Sequence, residues 1–242
     1  MIAPTIDSLL SAALGYFFGS IPLSFIIVKV FLDGLDIRTV GSKNVGGRNV
    51  IRSFKYKGKS NNVAYTMGLI VAIFDILKGY FAMWLSQYLS YNFGNKDPWS
   101  ICFAGIFAIL GHNWPIWLLS HGGRGVATTL GNLMFFNPIF FLIWLATFFL
   151  LSFPLMYSAI VYITSFIVMG VILYFWPWYV SPMVAELKND PNLGFISMIM
   201  LFGITLVVLS RQKSNFMKIK NGEAKRMKLW KIFQGKADEA LK

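Results

Sequence analysis

The distribution of apolar residues constrains this fold more than any other feature of the sequence. Most of the chain consists of apolar blocks of roughly 15–25 residues, and an α-helix needs about 20 such residues to cross a bilayer. Charged residues make up only 13% of the 242 positions, whereas a soluble domain usually carries about 25%. We therefore predict an all-α integral membrane protein with one embedded domain.

Seven apolar segments can be delimited, and we expect about seven transmembrane segments. They run over residues 9–32, 63–89, 100–119, 126–136, 139–153, 157–175 and 193–209. The first contains Gly-Ser-Ile-Pro at positions 19–22, which is expected to kink it or loosen its packing. The fourth is too short to cross alone, and we interpret it as a half-helix after a glycine-rich turn. The first segment has no preceding basic stretch, so we interpret it as a retained helix rather than a signal peptide.

Basic residues predict the orientation of these segments. The net charge is +12, and Lys and Arg are concentrated in residues 38–59 and 211–242. By the positive-inside rule both regions are cytoplasmic, which leaves the amino end outside. We therefore divide the chain into a transmembrane domain, residues 1–210, and a basic cytoplasmic tail, residues 211–242. Lipid headgroups and soluble phosphates are the expected anionic partners, not nucleic acid.

Within the tail, Met227, Trp230 and Phe233 recur at helical spacing among lysines. This pattern fits an interfacial amphipathic helix or a disordered basic tail.

The polar stretch at residues 36–52 reads DIRTVGSKNVGGRNVIR. Its glycines allow positive φ and a close approach to a ligand, and turns of successive N–H groups suit anions. The glycines are Gly41, Gly46 and Gly47, the cations Arg38, Lys43, Arg48 and Arg52, and the neutral hydrogen-bonding residues Ser42, Asn44 and Asn49. Two interpretations fit: a phosphate-binding loop, or a connector whose cations only set the topology.

A second glycine-rich turn, His121-Gly-Gly-Arg124-Gly125, precedes the short apolar segment. Glycines at a helix start, with free N–H groups and the positive end of the helix dipole, form an anion site. The guanidinium of Arg124 would then hold a phosphate bidentately. The alternative is a re-entrant turn whose arginine reaches toward the interface.

Polar residues inside the apolar segments are a third signal. Asp75 and Lys78 are three apart in the second segment, so they share a helical face and can pair. Charged groups within a span mark function by default, although a structural ion pair between helices is the alternative. His112 lies near the end of the third segment and is either a packing residue or a catalytic one. Asn215 follows the last segment and says little alone.

Several chemistries have no support in the sequence. The single cysteine, Cys102, lies in an apolar run, and no His, Cys or acidic cluster has metal-binding spacing. No GxxxxGK[ST] and no GxSxG motif is present. We therefore predict no metal and no cofactor.

Taken in order, the motifs resemble those of the bacterial acyl-phosphate:glycerol-3-phosphate acyltransferases (PlsY). They are GSIP, DIR-VGS-N-G--NV-R, D-LKG, GH--P and GG-GVAT, over about residues 19–131. The resemblance implies a seven-span enzyme of the bacterial inner membrane with its active site at the cytoplasmic face. It would move a fatty acyl group from acyl phosphate to the sn-1 hydroxyl of glycerol 3-phosphate, giving lysophosphatidate and phosphate. We expect a monomer.

Carried over position by position, the resemblance assigns roles to individual residues. The catalytic ones are Ser42, Asn49, Arg52, His112 and Asn215. The substrate-binding ones are Gly41, Asn44, Gly46, Asp75, Lys78, Gly122, Gly123 and Arg124. Ser42 or Asn49 would donate to the carbonyl oxygen as charge develops on it. The proton of the attacking hydroxyl would pass to a substrate phosphate oxygen or to His112.

The chain departs from the family pattern at four residues, and its segment at residues 53–62 is longer and more basic than usual. The family has lysine at Arg124, histidine at Gln212, arginine at Lys218 and a small residue at Arg48. Two alternatives therefore stay open: a divergent inactive paralogue, and a non-enzymatic membrane protein of this fold that transports or binds phosphorylated compounds or lipids.

Overall fold

The computed structural model describes residues 5–136, 138–155, 157–175 and 193–224. Every regular element within these ranges is helical, as the sequence predicts. The α-helices are α1 (Ile6–Ser20), α2 (Leu23–Phe31), α3 (Gly47–Tyr56), α4 (Asn61–Phe93), α5 (Trp99–Asn113), α6 (Val126–Phe136), α7 (Pro138–Leu155), α8 (Ser158–Phe175), α9 (Leu193–Ser210) and α10 (Lys213–Lys220). Short 3-10 helices lie at Ile37–Thr39 and Ile116–Leu118. The predicted amphipathic pattern around Trp230 lies outside the described residues.

Length and apolar composition identify three membrane-spanning stretches within the described residues, and a fourth if a bent pair counts as one span. The three are Ile6–Phe31, Asn61–Phe93 and Trp99–Leu118, and the bent pair is Phe195–Ser210 with Lys213–Lys220, at an angle of 55°. The apolar helices Val126–Phe136, Pro138–Phe153 and Ser158–Ile172 are shorter. The span count of seven and the orientation of the two ends stay predictions.

The first span breaks where the sequence predicts. Helix α1 ends at Ser20 and α2 begins at Leu23, with Pro22 between them. Helix α1 packs very closely on α5, since a Cβ at Gly15 or Gly19 would overlap the carbonyl groups of Ala104 and Ala108. Small residues at such a crossing let two backbones approach each other. This packing sets the break of the first span beside the carboxyl end of α5.

Two further glycine contacts fix α4 to its neighbours. A Cβ at Gly79 would overlap the backbone of Thr128, and one at Gly131 would overlap the carbonyl of Ile76, so α4 and α6 lie in backbone contact. Farther along α4, Gly68 packs against Ile51 and Gly47 of α3. The long helix α4 therefore holds both α3 and α6.

Buried carboxylates hold together the end of the bundle where α1 begins and where α4 connects to α5. Asp7 accepts hydrogen bonds from the Ser90 hydroxyl at 2.8 Å and the Asn95 backbone N–H at 2.7 Å. Asp97 accepts from the backbone N–H of Trp99 at 3.0 Å and from the hydroxyl of Ser8. These bonds tie the start of α1 to the connection between α4 and α5, and so fix how α1 lies along α5.

Candidate active site

The first basic turn is held together by the side chain of Asn49. Its amide nitrogen donates to the carbonyls of Ile37 at 2.9 Å and Val40 at 3.1 Å, and its oxygen accepts from the N–H of Ser42 at 2.9 Å. Gly41 has a φ of 57°, and a Cβ there would overlap the Asn49 oxygen. Glycine is therefore required at position 41 both for its backbone angle and for space.

This arrangement corrects the predicted role of Asn49. The residue is fully buried, and its amide already makes three hydrogen bonds inside the loop. It is not placed to donate to a substrate carbonyl. Its side chain shapes the turn that carries Ser42.

Part of the stretch at residues 36–52 is helical, although the sequence predicted a loop. Helix α3 begins at Gly47, with Gly46 as the residue before it, so Arg48 and Arg52 lie on a helix. The sequence did not predict this helix, because its glycines and high charge obscure the amphipathic pattern. The first basic turn therefore opens a helix, as the second one does.

Asp36 fastens the start of the turn. Its carboxylate accepts from the Arg38 backbone N–H at 2.8 Å and pairs with the Arg38 guanidinium at 2.7 Å. The hydrogen bond from the Arg38 guanidinium lowers the pKa of Asp36, and burial partly opposes this. Arg38 also lies 5.3 Å from the ring centre of Phe25 in α2. The Arg38 guanidinium therefore interacts with groups of the fold itself, namely Asp36 and Phe25.

The second basic turn folds back onto the end of α5. The N–H of Gly123 donates to the carbonyl of His112 at 2.9 Å, and the N–H of Gly122 donates to the carbonyl of Asn113 at 3.2 Å. A Cβ at Gly123 would overlap the His112 ring. The expectation of free N–H groups is therefore wrong for these two glycines, because α5 already uses them.

Arg211, at the bend between α9 and α10, clamps this turn from the other side. Its Nε donates to the carbonyl of Gly123 and its Nη2 to that of Gly122, both at 3.0 Å. The guanidinium also lies 5.6 Å from the ring centre of Trp114. In the sequence Arg211 is only one of the cations of the tail, since hydrogen bonds to backbone carbonyls leave no sequence pattern.

The two basic turns meet in one cleft of about 350 Å³. Three separate stretches of chain line it: Ser42, Lys43 and Asn44; Gly122 and Arg124; and Ser210, Arg211, Lys213, Ser214 and Met217. Four of these residues are cationic, and no carboxylate lines the cleft among the described residues. The arrangement suits a ligand with negative charge and hydroxyl groups.

Arg124 is a partly buried cation of the cleft. Among the described residues no carboxylate pairs with it. Burial lowers the pKa of Arg124, and the nearby charges of Arg48, Arg211 and Arg52 lower it further. An arginine remains protonated at neutral pH all the same. A partly buried cation surrounded by other cations is stabilised by a bound anion.

A buried polar cluster lies behind the second turn. Lys78 Nζ is 2.9 Å from Asp75 Oδ1, which confirms the predicted pairing. Lys78 Nζ also donates to the Ile21 carbonyl at 3.4 Å, at the break between α1 and α2. His112 Nδ1 lies 3.5 Å from the same Asp75 oxygen. The cluster borders a small cavity of about 10 Å³, room for about one water molecule.

The remaining predicted residues lie near the cleft but outside its lining among the described residues. His112, Asp75 and Lys78 are behind the Gly123 backbone, and the side chain of Arg52 packs beside Gly41. Asn215 lies on α10 and donates to the side-chain oxygen of buried Gln212 at 2.6 Å. The structure thus brings Ser42, Asn44, Gly122 and Arg124 together and leaves the others as a surrounding layer.

Comparison with known proteins identifies the family of this chain. The sequence profile described as glycerol-3-phosphate acyltransferase matches residues 9–222. A glycerol-3-phosphate acyltransferase of Thermotoga petrophila is 33% identical over 218 residues, covering 90% of this chain and 95% of that protein. One from Helicobacter pylori strain J99 is 31% identical over 214 residues, covering 88% and 92%. The chain belongs to the glycerol-3-phosphate acyltransferase family.

Solved structures agree with this assignment. The fold is similar to the crystal structure of PlsY (YgiH), an integral membrane glycerol 3-phosphate acyltransferase, in its glycerol 3-phosphate form. The TM-score is 0.70 at 26% identity, and the match covers 93% of this chain and 98% of that one. The lysophosphatidic acid form gives 0.69 at 25% identity, covering 91% and 95%. This chain is thus a multi-pass membrane protein of an acyltransferase family that serves phospholipid synthesis.

Proposed function

We propose that this protein transfers a fatty acyl group from acyl phosphate to the sn-1 hydroxyl of glycerol 3-phosphate. The observation that carries the proposal is that Arg124 and the Ser42 turn line the same cleft. Two anionic reactants must lie side by side for this reaction, and a cleft lined by four cations without a described carboxylate suits them. The solved relative in its glycerol 3-phosphate form supports the acceptor.

The reaction needs no covalent intermediate, because acyl phosphate is already activated. The sn-1 oxygen attacks the acyl carbonyl carbon, the bond between that carbon and the phosphate oxygen breaks, and inorganic phosphate leaves. Arg124 would hold one phosphate through its guanidinium fork, and Arg52 with the α3 amino end would face the other. Ser42 would donate to the carbonyl oxygen as negative charge grows on it. Orientation of the two reactants supplies much of the rate.

The position of His112 bears on the proton acceptor. Its Nδ1 faces Asp75 and its other ring nitrogen lies against Gly123, so the glycine turn separates the ring from the cleft. This favours a phosphate oxygen of the substrate as the group that takes the hydroxyl proton. His112 and Asp75 then act as positioning residues beneath the turn, and Asn215 supports α10 beside it.

The location follows from charge and from the cleft. The basic stretches at residues 38–59 and 211–220 both lie at the cleft end of the bundle. By the positive-inside rule this end faces the cytoplasm of a bacterial inner membrane. No cofactor enters the proposed reaction.

The deciding experiment measures phosphate release from palmitoyl phosphate by the purified full chain, with and without glycerol 3-phosphate. We expect release that depends on glycerol 3-phosphate and matches the lysophosphatidate formed. Arg124→Ala should raise the glycerol 3-phosphate KM or abolish turnover in a folded protein, and Ser42→Ala should lower kcat severely. Lys220→Ala, which changes an exposed lysine outside the cleft, is the matched control.

Release without acceptor dependence would contradict acyl transfer to glycerol 3-phosphate. Absence of turnover with intact binding of both substrates would indicate an inactive paralogue. Absence of turnover with flux of glycerol 3-phosphate across proteoliposomes would indicate a transporter.

A further inference from the structure

The cations of the cleft form two tiers. Arg124 and Arg211 are partly buried, whereas Lys43 and Lys213 are exposed, and all four line the same cleft. A guanidinium presents a planar fork that holds a phosphate in one orientation, whereas an ammonium is a hydrated point charge on a flexible stem. The inner tier therefore suits holding an anion, and the outer tier suits attracting one from water.

The backbone at Lys43 does not call for a side chain. Its φ is 57°, in the left-handed region that favours glycine, and it shares that angle with Gly41 two residues earlier. Its N–H donates to the carbonyl of Val40 at 3.0 Å and closes the turn. A glycine at position 43 would keep this hydrogen bond and adopt the angle more easily. What the lysine adds to the turn is its charge at the mouth of the cleft.

We propose that Lys43 is a specificity-determining residue that captures the soluble phosphomonoester acceptor and leaves the membrane-borne acyl donor unaffected. This inference rests on the proposed function. A small dianion reaches the cleft through water, where an exposed cation raises its local concentration. An acyl phosphate enters from the bilayer and is held largely by its chain. Lys213, on another wall of the cleft, contributes to capture in the same way.

The test compares Lys43→Gly with Lys59→Gly in the full chain. Lys59 is an exposed lysine in the connection between α3 and α4, outside the cleft lining. At low ionic strength, Lys43→Gly should raise the glycerol 3-phosphate KM by about three- to tenfold. The difference should shrink at about 0.5 M salt, where the screening length falls to a few ångströms. The kcat and the acyl phosphate KM should not change, and the melting temperature should stay equal or rise.

Three results would overturn the proposal: equal KM values for Lys43→Gly and Lys59→Gly at low salt, a lowered kcat with an unchanged KM, or an equal rise in both substrate KM values. If the parent chain transfers no acyl group, the proposed function fails and the inference is tested by equilibrium binding of glycerol 3-phosphate. Weaker binding by Lys43→Gly at low salt, with a deficit that shrinks at about 0.5 M salt, would then support it, and equal or absent binding would refute it.

Discussion

Arg211→Met tests whether the second basic turn must be held from both sides. The wild-type guanidinium makes two hydrogen bonds of 3.0 Å to the carbonyls of Gly122 and Gly123. A hydrogen bond from a charged donor contributes about 1.5–3 kcal/mol. Because Arg211 is partly exposed, each of its two bonds contributes an amount at or below the lower end of this range. Together the two bonds stabilise the turn by roughly 2–3 kcal/mol. This corresponds to about a 30- to 150-fold loss in kcat/KM. It is an upper limit for the share of the two hydrogen bonds, because α5 also binds the turn.

The assay is steady-state acyl transfer with glycerol 3-phosphate varied, together with the melting temperature in the same detergent. Arg211→Lys keeps the charge but cannot bridge two carbonyls, so we expect it to recover only part of the loss. Lys220→Met, an exposed charge removal on α10, is the matched control. If Arg211→Met retains kcat/KM within about twofold, or loses only stability, the clamp does not position Arg124.

Two other predictions address charges that the fold uses internally. Hydrogen bonding from Arg38 lowers the pKa of Asp36 below its unfolded value of about 3.8. The ionised carboxylate therefore stabilises the fold at pH values above 3.8. This stability is lost as the pH falls through the lower pKa of the folded protein. Asp36→Asn should therefore lower the melting temperature at pH 7 and match wild type at low pH; an equal difference at both pH values would exclude the ion pair as its cause. Asp75→Asn or Lys78→Met alone should cost about 3–5 kcal/mol, because each removes one partner of a buried ion pair. If the double variant regains the melting temperature but not activity, the pair serves the site, whereas recovery of both would make it a tether.

Part of the cleft could be predicted from the sequence. The two glycine turns, Arg124 and the pairing of Asp75 with Lys78 could all be predicted, because glycine, charge and apolar context leave strong local patterns. These patterns also indicated that both turns serve anions, and the structure brings Ser42 and Arg124 to one cleft.

The relations between those parts could not be predicted. Asn49 was expected to face substrate, yet its amide is used by the carbonyls of Ile37 and Val40. Arg211 was not singled out, yet it makes two hydrogen bonds to the second turn. In both cases the partner is a backbone carbonyl, which every residue possesses. A sequence therefore shows that such a side chain is polar but not that it is already occupied.

The absence of side chains at particular glycines explains how two turns that are distant in sequence are held at a fixed separation in one cleft. The first turn lies on α3, which contacts α4 where Gly47 meets Gly68, and the second lies between α5 and α6, with α6 held on α4 through Gly79. Close backbone contacts cannot slide without steric overlap, so the distance between the turns is set by packing rather than by flexible loops. A site of this kind can orient two phosphorylated reactants before reaction. In the proposed function, arginine rather than lysine at position 124 changes the group that holds the phosphate, whereas the glycine contacts that set the distance between the turns do not involve that side chain.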